Sequence, residues 1–250
     1  MDKTYYHEYY IQERNHWWFL ARLRILESKV AQIATDQKLK ILNVGAATGA
    51  TSQMLSKYGE VTSLEYDSDC CKFVREEIGL EVTEGSVLDL PYEDQSFDLV
   101  CAFDIIEHVD DDQTAVEEMK RVCAKGGNIF VTVPAFMSLW SDHDVINHHF
   151  RRYKKHSLQQ LFKESGEVGF TSYFNFYFFI PIYLIRRISN ILYKKDRKVK
   201  SDFNKFKPGI LNNLMYAIFL MEKPWLRMRL KFPFGVSIML IWENTKDDAG

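Results

Sequence analysis

The chain has 250 residues, enough for one α/β domain with a modest appendage. Its formal net charge of −2 argues against a general nucleic-acid binder, so we predict no nucleic-acid partner. Its four cysteines lack CxxC spacing and suggest neither a zinc site nor a disulfide framework, and we expect reduced thiols in a cytoplasmic protein. The N-terminus lacks the apolar core of a signal peptide. The longest apolar run, 173–185, is too short to span a bilayer.

The first half of the chain is predicted to alternate strands with helices. Residues 1–38 have the apolar spacing of helices with one buried face. Strands are predicted at 40–45, 61–66, 81–86, 96–104 and 128–134, with helices at 50–57, 69–78 and 113–123 and a turn at Gly126-Gly127. Strands that alternate with helices in this way imply a parallel sheet with helices on both faces.

After Pro134 the pattern is less regular. It begins with a loop rich in histidine and aromatic residues, followed by a predicted helix at 157–165, a strand at 171–176, helices at 180–194 and 210–228, and a strand at 234–244. We predict a single domain over 1–250 with a Rossmann-like, doubly wound, mostly parallel seven-stranded α/β sheet. In this domain 1–38 is a helical lid, 39–170 the cofactor-binding core, and 171–250 the sheet edge with a helical insertion at 180–232 before the last strand.

A loop of small residues follows the first predicted strand, in the sequence ILNVGAATGA from Ile41 to Ala50. Gly45 and Gly49 allow tight turning, and the helix N-terminus that follows suits an anionic group. Glu65 comes twenty residues after Gly45, at the end of the next strand, where an acid can accept hydrogen bonds from ribose hydroxyls. Loop and acid are compatible with an adenosine-type cofactor. The alternative is a tight turn without a ligand, because Ala47 breaks the GxGxxG register.

Three segments in order carry a resemblance to a known family. ILNVGAATGATSQMLSKYGEVTSLEYD, EGSVLDLPYEDQSFDLVCAFDIIEHVDD and EEMKRVCAKGGNIFVTVP resemble successive motifs of class I S-adenosylmethionine-dependent methyltransferases of type 11/12. The resemblance implies S-adenosylmethionine as cofactor. It also implies a set of cofactor-binding residues: Gly45, Ala47 and Gly49 at the methionine end, Glu65 at the ribose, Tyr66, Ser86 and Val87 at the adenine, and Phe103 and Asp104 closing the pocket.

The chain departs from this family at three positions. The family usually has an acid at position 43, a glycine at 47 and often an aspartate at 86, where this chain has Asn43, Ala47 and Ser86. These departures bear on the affinity for the cofactor more than on its identity.

Candidate catalytic residues follow the fourth strand in the sequence FDIIEHVDD. Methyl transfer to a hydroxyl or a protonated amine needs a base, and we predict His108, Glu107 and His149 as catalytic residues. The alternative is that Glu107 and His108 cap the next helix. Asp104, Glu107 and His108, with His149 or His148, also form a set of possible ligands for a divalent ion. Similar residues occur in metal-free relatives, so no metal ligand is assigned.

The loop WSDHDVINHHFRRYKKH and the N-terminal helices are predicted to contact the substrate. The predicted substrate-binding residues are Trp17, Trp18, His143, Arg151, Arg152 and Tyr153. Paired arginines suit carboxylates or phosphates. The alternatives are a solvated loop and an ordinary buried helix face.

The segment between Arg186 and Lys207 contains nine Lys or Arg and two Asp, next to apolar helices. Basic and apolar residues together are typical of peripheral membrane contact, here through 180–232. The alternatives are a dimer contact, a substrate cover and a solvated basic loop. The oligomeric state stays open. We predict a methyltransferase acting on O or N of a small-molecule acceptor, in secondary-metabolite or glycan biosynthesis. The rivals are a nucleotide-dependent oxidoreductase and a non-catalytic adenosyl-binding or membrane-surface module.

Overall fold

The computed structural model describes residues 3–34, 38–192 and 209–245. The strands are β1 (Leu39–Val44), β2 (Gly59–Glu65), β3 (Thr83–Glu84), β4 (Phe97–Phe103), β5 (Cys123–Pro134), β6 (Glu167–Phe174) and β7 (Ser237–Glu243). They form one seven-stranded sheet in the order β3-β2-β1-β4-β5-β7-β6. The first five strands are parallel, and β7 is antiparallel to both of its neighbours. This confirms the predicted fold class.

Ten α-helices surround this sheet within the described ranges. They are α1 (Lys3–Asn15), α2 (Trp17–Ile33), α3 (Ala50–Leu55), α4 (Ser68–Phe73), α5 (Asp112–Val122), α6 (Asp142–Ile146), α7 (Lys155–Leu161), α8 (Phe179–Leu192), α9 (Ile210–Leu220) and α10 (Glu222–Arg227). Successive residues of β1 point to opposite faces, so Ile41 packs in one core cluster and Leu42 in the other. The two clusters give the sheet a buried face on each side.

Several predicted boundaries are wrong, for identifiable reasons. The predicted strand 81–86 is reduced to β3, and helix 69–78 ends as a π-helical turn from Val74. Gly126 and Gly127 form no closing turn but lie inside β5, where Gly126 has φ +72° and the pairing with β4 shifts register. A bulge of this kind uses the conformational freedom of glycine.

The C-terminal third also differs from the prediction. Strand β6 begins at Glu167, before the predicted position 171, and α7 begins at Lys155 and ends at Leu161. The predicted helix 210–228 is two helices, because Pro224 lacks an N–H and is suited to the first turn of a new helix. Positions 193 and 194 of the predicted helix 180–194 lie outside the described residues. No helix in the described ranges is long and apolar enough to cross a bilayer.

Candidate functional site

The glycine loop lies at the carboxyl end of β1 and leads into α3. Gly45, Ala47 and Gly49 have φ angles of +73°, +45° and +86°. Position 45 requires glycine, because a Cβ there would lie 1.9 Å from the Cδ1 atom of Ile105. The loop therefore takes a tight left-handed path against the residues that follow β4, at the edge of the sheet where ligands bind in such folds.

Glu65 ends β2 and fastens the glycine loop to that strand. Its Oε2 atom accepts a hydrogen bond from the Ala47 N–H at 2.9 Å, and its Oε1 atom accepts from the N–H groups of Tyr66 and Asp67 at 2.9 and 3.1 Å. The residue is half-buried, so its carboxylate has lone pairs left for ribose hydroxyls. Tyr66 is 78% exposed beside it, which leaves its ring accessible to a purine. This set of groups fits an adenosyl ligand.

Asn43, the first departure from the family pattern, is fully buried behind the loop. Its side-chain amide donates to Thr51 Oγ1 at 2.9 Å and to Ser52 Oγ at 2.8 Å. The Ser52 hydroxyl is in turn 2.8 Å from that of Ser63 on β2. Asn43 therefore connects β1 to α3 directly and to β2 through Ser52. An amide fills this structural role, so the position does not need an acid.

The N-terminal helix α1 covers the glycine loop. The Tyr6 hydroxyl donates to Asp67 Oδ1 at 2.8 Å, and the Thr48 hydroxyl donates to the buried Glu13 carboxylate. Arg14 Nη2 donates to the Thr48 carbonyl at 3.2 Å. Burial raises the pKa of Glu13, because its charged form loses hydration. Helix α1 is thus placed to exclude water from the loop, as a lid does.

The other predicted cofactor residues lie along the same edge of the sheet. Ser86 accepts the N–H of Leu88 through Oγ at 3.1 Å, and Val87 is buried in the turn after β3. Phe103 is buried at the end of β4 with its ring centroid 5.0 Å from that of Phe130. Phe103 therefore packs in the core beneath the loop and does not stand open at its mouth.

Asp104 follows β4 with φ +59° and forms an ion pair with α2. Its Oδ2 atom lies 2.8 Å from Arg22 Nη2, and its Oδ1 atom accepts from the Thr132 hydroxyl at 3.0 Å. Arg22 is buried, and its role was not predicted, because one arginine in an amphipathic helix gives no sequence signal of burial. The Asp104 carboxylate is therefore paired with helix α2.

The three predicted catalytic residues, Glu107, His108 and His149, come together. The imidazole centroids of His108 and His149 are 4.5 Å apart, with the rings perpendicular. Glu107 is fully buried, and this burial, followed by the nearby charge of Asp104, raises its pKa well above the usual range. His108 keeps an exposed surface, but desolvation, followed by the proximity of His149, lowers its pKa to about 4. His108 is therefore uncharged at neutral pH.

Asp144, on α6, orients this cluster and was missed by the sequence analysis. It is fully buried, and its Oδ1 atom lies 2.9 Å from His149 Nδ1 and 2.7 Å from Arg152 Nε. Arg152 Nη2 donates to the other oxygen at 3.0 Å. Burial alone would raise the pKa of Asp144, but hydrogen bonds from His149 and Arg152 lower it well below the usual range. One acid among many polar loop residues carries no sequence signal of burial.

The arginine and tyrosine side chains predicted to bind substrate have protein partners. Arg152 is buried against Asp144, and the Tyr153 hydroxyl donates to Asp112 Oδ2 at 2.6 Å. Arg151 Nη1 pairs with the same Asp112 at 3.1 Å. These three side chains hold the loop after β5 in place, so we do not retain Arg152 or Tyr153 as substrate ligands.

Trp17, Trp18 and His143 occupy different environments. Trp17 is buried, with its ring centroid 4.7 Å from that of Phe178. It therefore belongs to an ordinary buried helix face, which was the alternative to substrate binding. Trp18 is half-buried on the same helix. The ring centroid of His143 lies 6.2 Å from that of His149, so of these three residues His143 borders the predicted catalytic residues.

Comparisons with known proteins agree with this geometry. A family model described as a methyltransferase domain matches residues 42–131. Norajmaline N-methyltransferase of Rauvolfia serpentina is 33% identical over 123 residues, 44% of this chain and 42% of that protein. Phosphatidylethanolamine N-methyltransferase of Cereibacter sphaeroides is 30% identical over 99 residues, 37% of this chain and 49% of that protein. The matches thus span less than half the length of these curated relatives.

Solved structures support the fold. The structure of a SAM-dependent methyltransferase from Archaeoglobus fulgidus aligns with a TM-score of 0.56 over 94% of this chain and 99% of that one, at 15% identity. The matched segment 42–131 contains the glycine loop, Glu65, Glu107 and His108. Residues 42–131 therefore match a methyltransferase-domain family, and the chain as a whole shares the fold of solved methyltransferases.

Proposed function

We propose that this protein transfers a methyl group from S-adenosylmethionine to an oxygen or nitrogen of a small-molecule acceptor. The observation that carries the proposal is the Glu65 carboxylate, which is fastened to the glycine loop and still half-exposed at the carboxyl edge of the sheet. S-adenosylmethionine supplies a methyl group on a sulfonium, which is electrophilic. The relatives named for norajmaline and phosphatidylethanolamine support an acceptor of low molecular weight.

The chain's own residues would divide the work of binding. Glu65 accepts the ribose hydroxyls, Tyr66 lies against the adenine, and Ser86 with Val87 borders its edge. The glycine loop allows close approach at the methionine end, and α1 excludes water above it. Binding under a lid aligns the methyl group with an acceptor, and such alignment supplies much of the rate of a two-substrate reaction.

The acceptor is expected to sit beside Glu107, His108 and His149. A hydroxyl or a protonated amine must lose a proton to become a nucleophile, and the uncharged His108 and the Asp144-oriented His149 are suitable groups to take it. Acceptors from secondary-metabolite or glycan biosynthesis remain our proposal for the substrate class. In spite of the departures at Asn43 and Ala47, the Glu65 carboxylate still accepts a hydrogen bond from the glycine loop. This contact supports binding of S-adenosylmethionine over a scaffold that has lost its ligand.

Calorimetric titration of the purified protein tests the cofactor class. We expect S-adenosylmethionine and S-adenosylhomocysteine to bind with one-to-one stoichiometry and NADH to give no heat of binding. Binding of NADH alone would favour the oxidoreductase. Binding of the adenosyl ligands without methyl transfer to any member of a broad panel of hydroxyl and amine acceptors would favour the non-catalytic module.

We also propose peripheral membrane contact through 180–232. On α8, Ile180, Leu184, Ile185 and Ile188 are each more than half exposed, and the sequence from 180 to 232 has 13 Lys or Arg against three Asp or Glu. Apolar and basic groups together favour an anionic lipid surface. We expect co-sedimentation with phosphatidylglycerol vesicles to fall strongly in Leu184→Glu and to persist in Leu88→Glu, an exposed apolar position outside the segment. Equal binding by both variants would contradict this contact.

A further inference from the structure

Glu107 is a buried carboxylate that no side chain of the described residues meets with a hydrogen bond. It lies in a short 3₁₀ turn, Ile106–His108, between β4 and α5, with 0% of its surface exposed. Within the described ranges, neither of its carboxylate oxygens has a hydrogen-bond partner. A buried polar group of this kind costs free energy unless another group satisfies it. A bound cation is a partner that would satisfy this carboxylate.

Two imidazoles stand next to this carboxylate. One potential ligand atom each from Glu107, His108 and His149 lies within 4.8 Å of the other two. One carboxylate oxygen and two imidazole nitrogens form a ligand set that zinc and other first-row transition metals bind well, whereas calcium and magnesium prefer oxygen alone. Asp104 is not part of this set, because its carboxylate pairs with Arg22 and Thr132.

His149 is held in the orientation of a metal ligand. Its Nδ1 atom faces the buried Asp144 carboxylate at 2.9 Å, so its Nε2 atom is the one left for a ligand. Asp144 is itself fixed by two hydrogen bonds from Arg152 and by the Ser141 N–H at 2.8 Å. A carboxylate behind a histidine is the usual outer support of a metal-bound imidazole.

We propose that Glu107, His108 and His149 bind one divalent transition-metal cation. Three protein ligands leave at least one coordination position open, and an oxygen of the acceptor would take it. This last step rests on the proposed methyl transfer, whereas binding of the cation does not. With the cation bound, the two imidazoles are ligands and no longer take the acceptor's proton; an acceptor hydroxyl on the cation would instead release its proton to solvent. Its oxygen would then form the bond to the methyl carbon as the carbon–sulfur bond breaks, giving a methyl ether and S-adenosylhomocysteine.

The test is titration of the chelator-treated full chain with Co²⁺, followed by visible absorption and calorimetry. We expect one Co²⁺ per chain, with affinity lowered more than about 100-fold in Glu107→Gln and His149→Ala, since even outer-shell changes cost about 10–100-fold. His156→Ala, which removes an exposed histidine on α7, is the matched control and should bind as the wild type does. Zn²⁺ and Mn²⁺ should compete with Co²⁺, and Mg²⁺ should not.

Thermal unfolding separates loss of the site from loss of the fold. Glu107→Gln replaces the buried carboxyl group with a neutral group of the same size, so without metal we expect it to be about as stable as the wild type, while added Co²⁺ stabilises only the wild type. Binding of S-adenosylhomocysteine is measured in the same variants. If the adenosyl ligand binds but Co²⁺ binds weakly, or equally well to His149→Ala, the cation site is refuted and the proposed function stands. If Co²⁺ binds as expected without the adenosyl ligand, the proposed function fails and the cation site stands.

Discussion

Replacement of Glu65 by alanine is expected to lower the affinity for S-adenosylhomocysteine by about 100-fold, because hydrogen bonds to a charged group are each worth roughly 1.5–3 kcal/mol. The substitution removes the proposed acceptor for the ribose hydroxyls. It also releases the Ala47 N–H, which the carboxylate now holds at 2.9 Å. Both losses weaken the same ligand, the first directly and the second by loosening the glycine loop. Calorimetric titration of the variant measures their sum.

The control is Glu60→Ala, an exposed acid at the other end of β2. It removes the same charge from the same strand, and we expect the affinity to stay within about twofold, because a distant exposed charge is screened by solvent. A 2′-deoxyribose analogue of the ligand then separates the two roles of Glu65. It should bind the wild type more weakly than S-adenosylhomocysteine does, and bind Glu65→Ala about as well as S-adenosylhomocysteine does. A full penalty for the analogue in both proteins would show that Glu65 serves the loop alone.

Local pattern was sufficient to predict most of the fold. Apolar runs between helical segments located strands β1, β2, β4 and β5, and the alternation with helices predicted that they are parallel. The errors fall where tertiary contacts decide. The sequence predicted a turn at Gly126 and Gly127, but the two residues form a bulge where the pairing of β5 with β4 shifts register. Met221 separates α9 from α10 within one predicted helix, and Pro224 lies in the first turn of the second helix.

The candidate site was predicted unevenly, and burial is the reason. Positions that follow strand ends, such as Glu65 and Glu107, can be located from the sequence because the carboxyl ends of parallel strands share one edge. The roles of Arg22, Asp144 and Arg152 depend on which charges the fold buries together, and residue spacing does not contain that information. The paired arginines therefore suggested a substrate ligand, whereas Arg152 is a buried structural partner.

Replacement of Asp144 by alanine is expected to lower the free energy of unfolding by about 3–5 kcal/mol, the usual cost of breaking a buried ion pair from one side. The Asp144 carboxylate is fully buried and receives two hydrogen bonds from Arg152, which is itself buried. Without Asp144, the guanidinium keeps its bond to the Ala135 carbonyl but loses its counter-charge. Urea unfolding followed by circular dichroism measures the change.

Two further variants decide whether the buried pair is the cause. Asp110→Ala removes an acid that pairs with Arg151 at 3.0 Å but is 82% exposed, and we expect a change within about 0.5 kcal/mol. Adding Arg152→Met to Asp144→Ala removes the stranded charge, so the double variant should recover at least about 1 kcal/mol over Asp144→Ala alone. A loss in Asp144→Ala no larger than that in Asp110→Ala would mean that Arg152 finds solvent or another acceptor. In that case His149 would lose its orientation without cost to the fold.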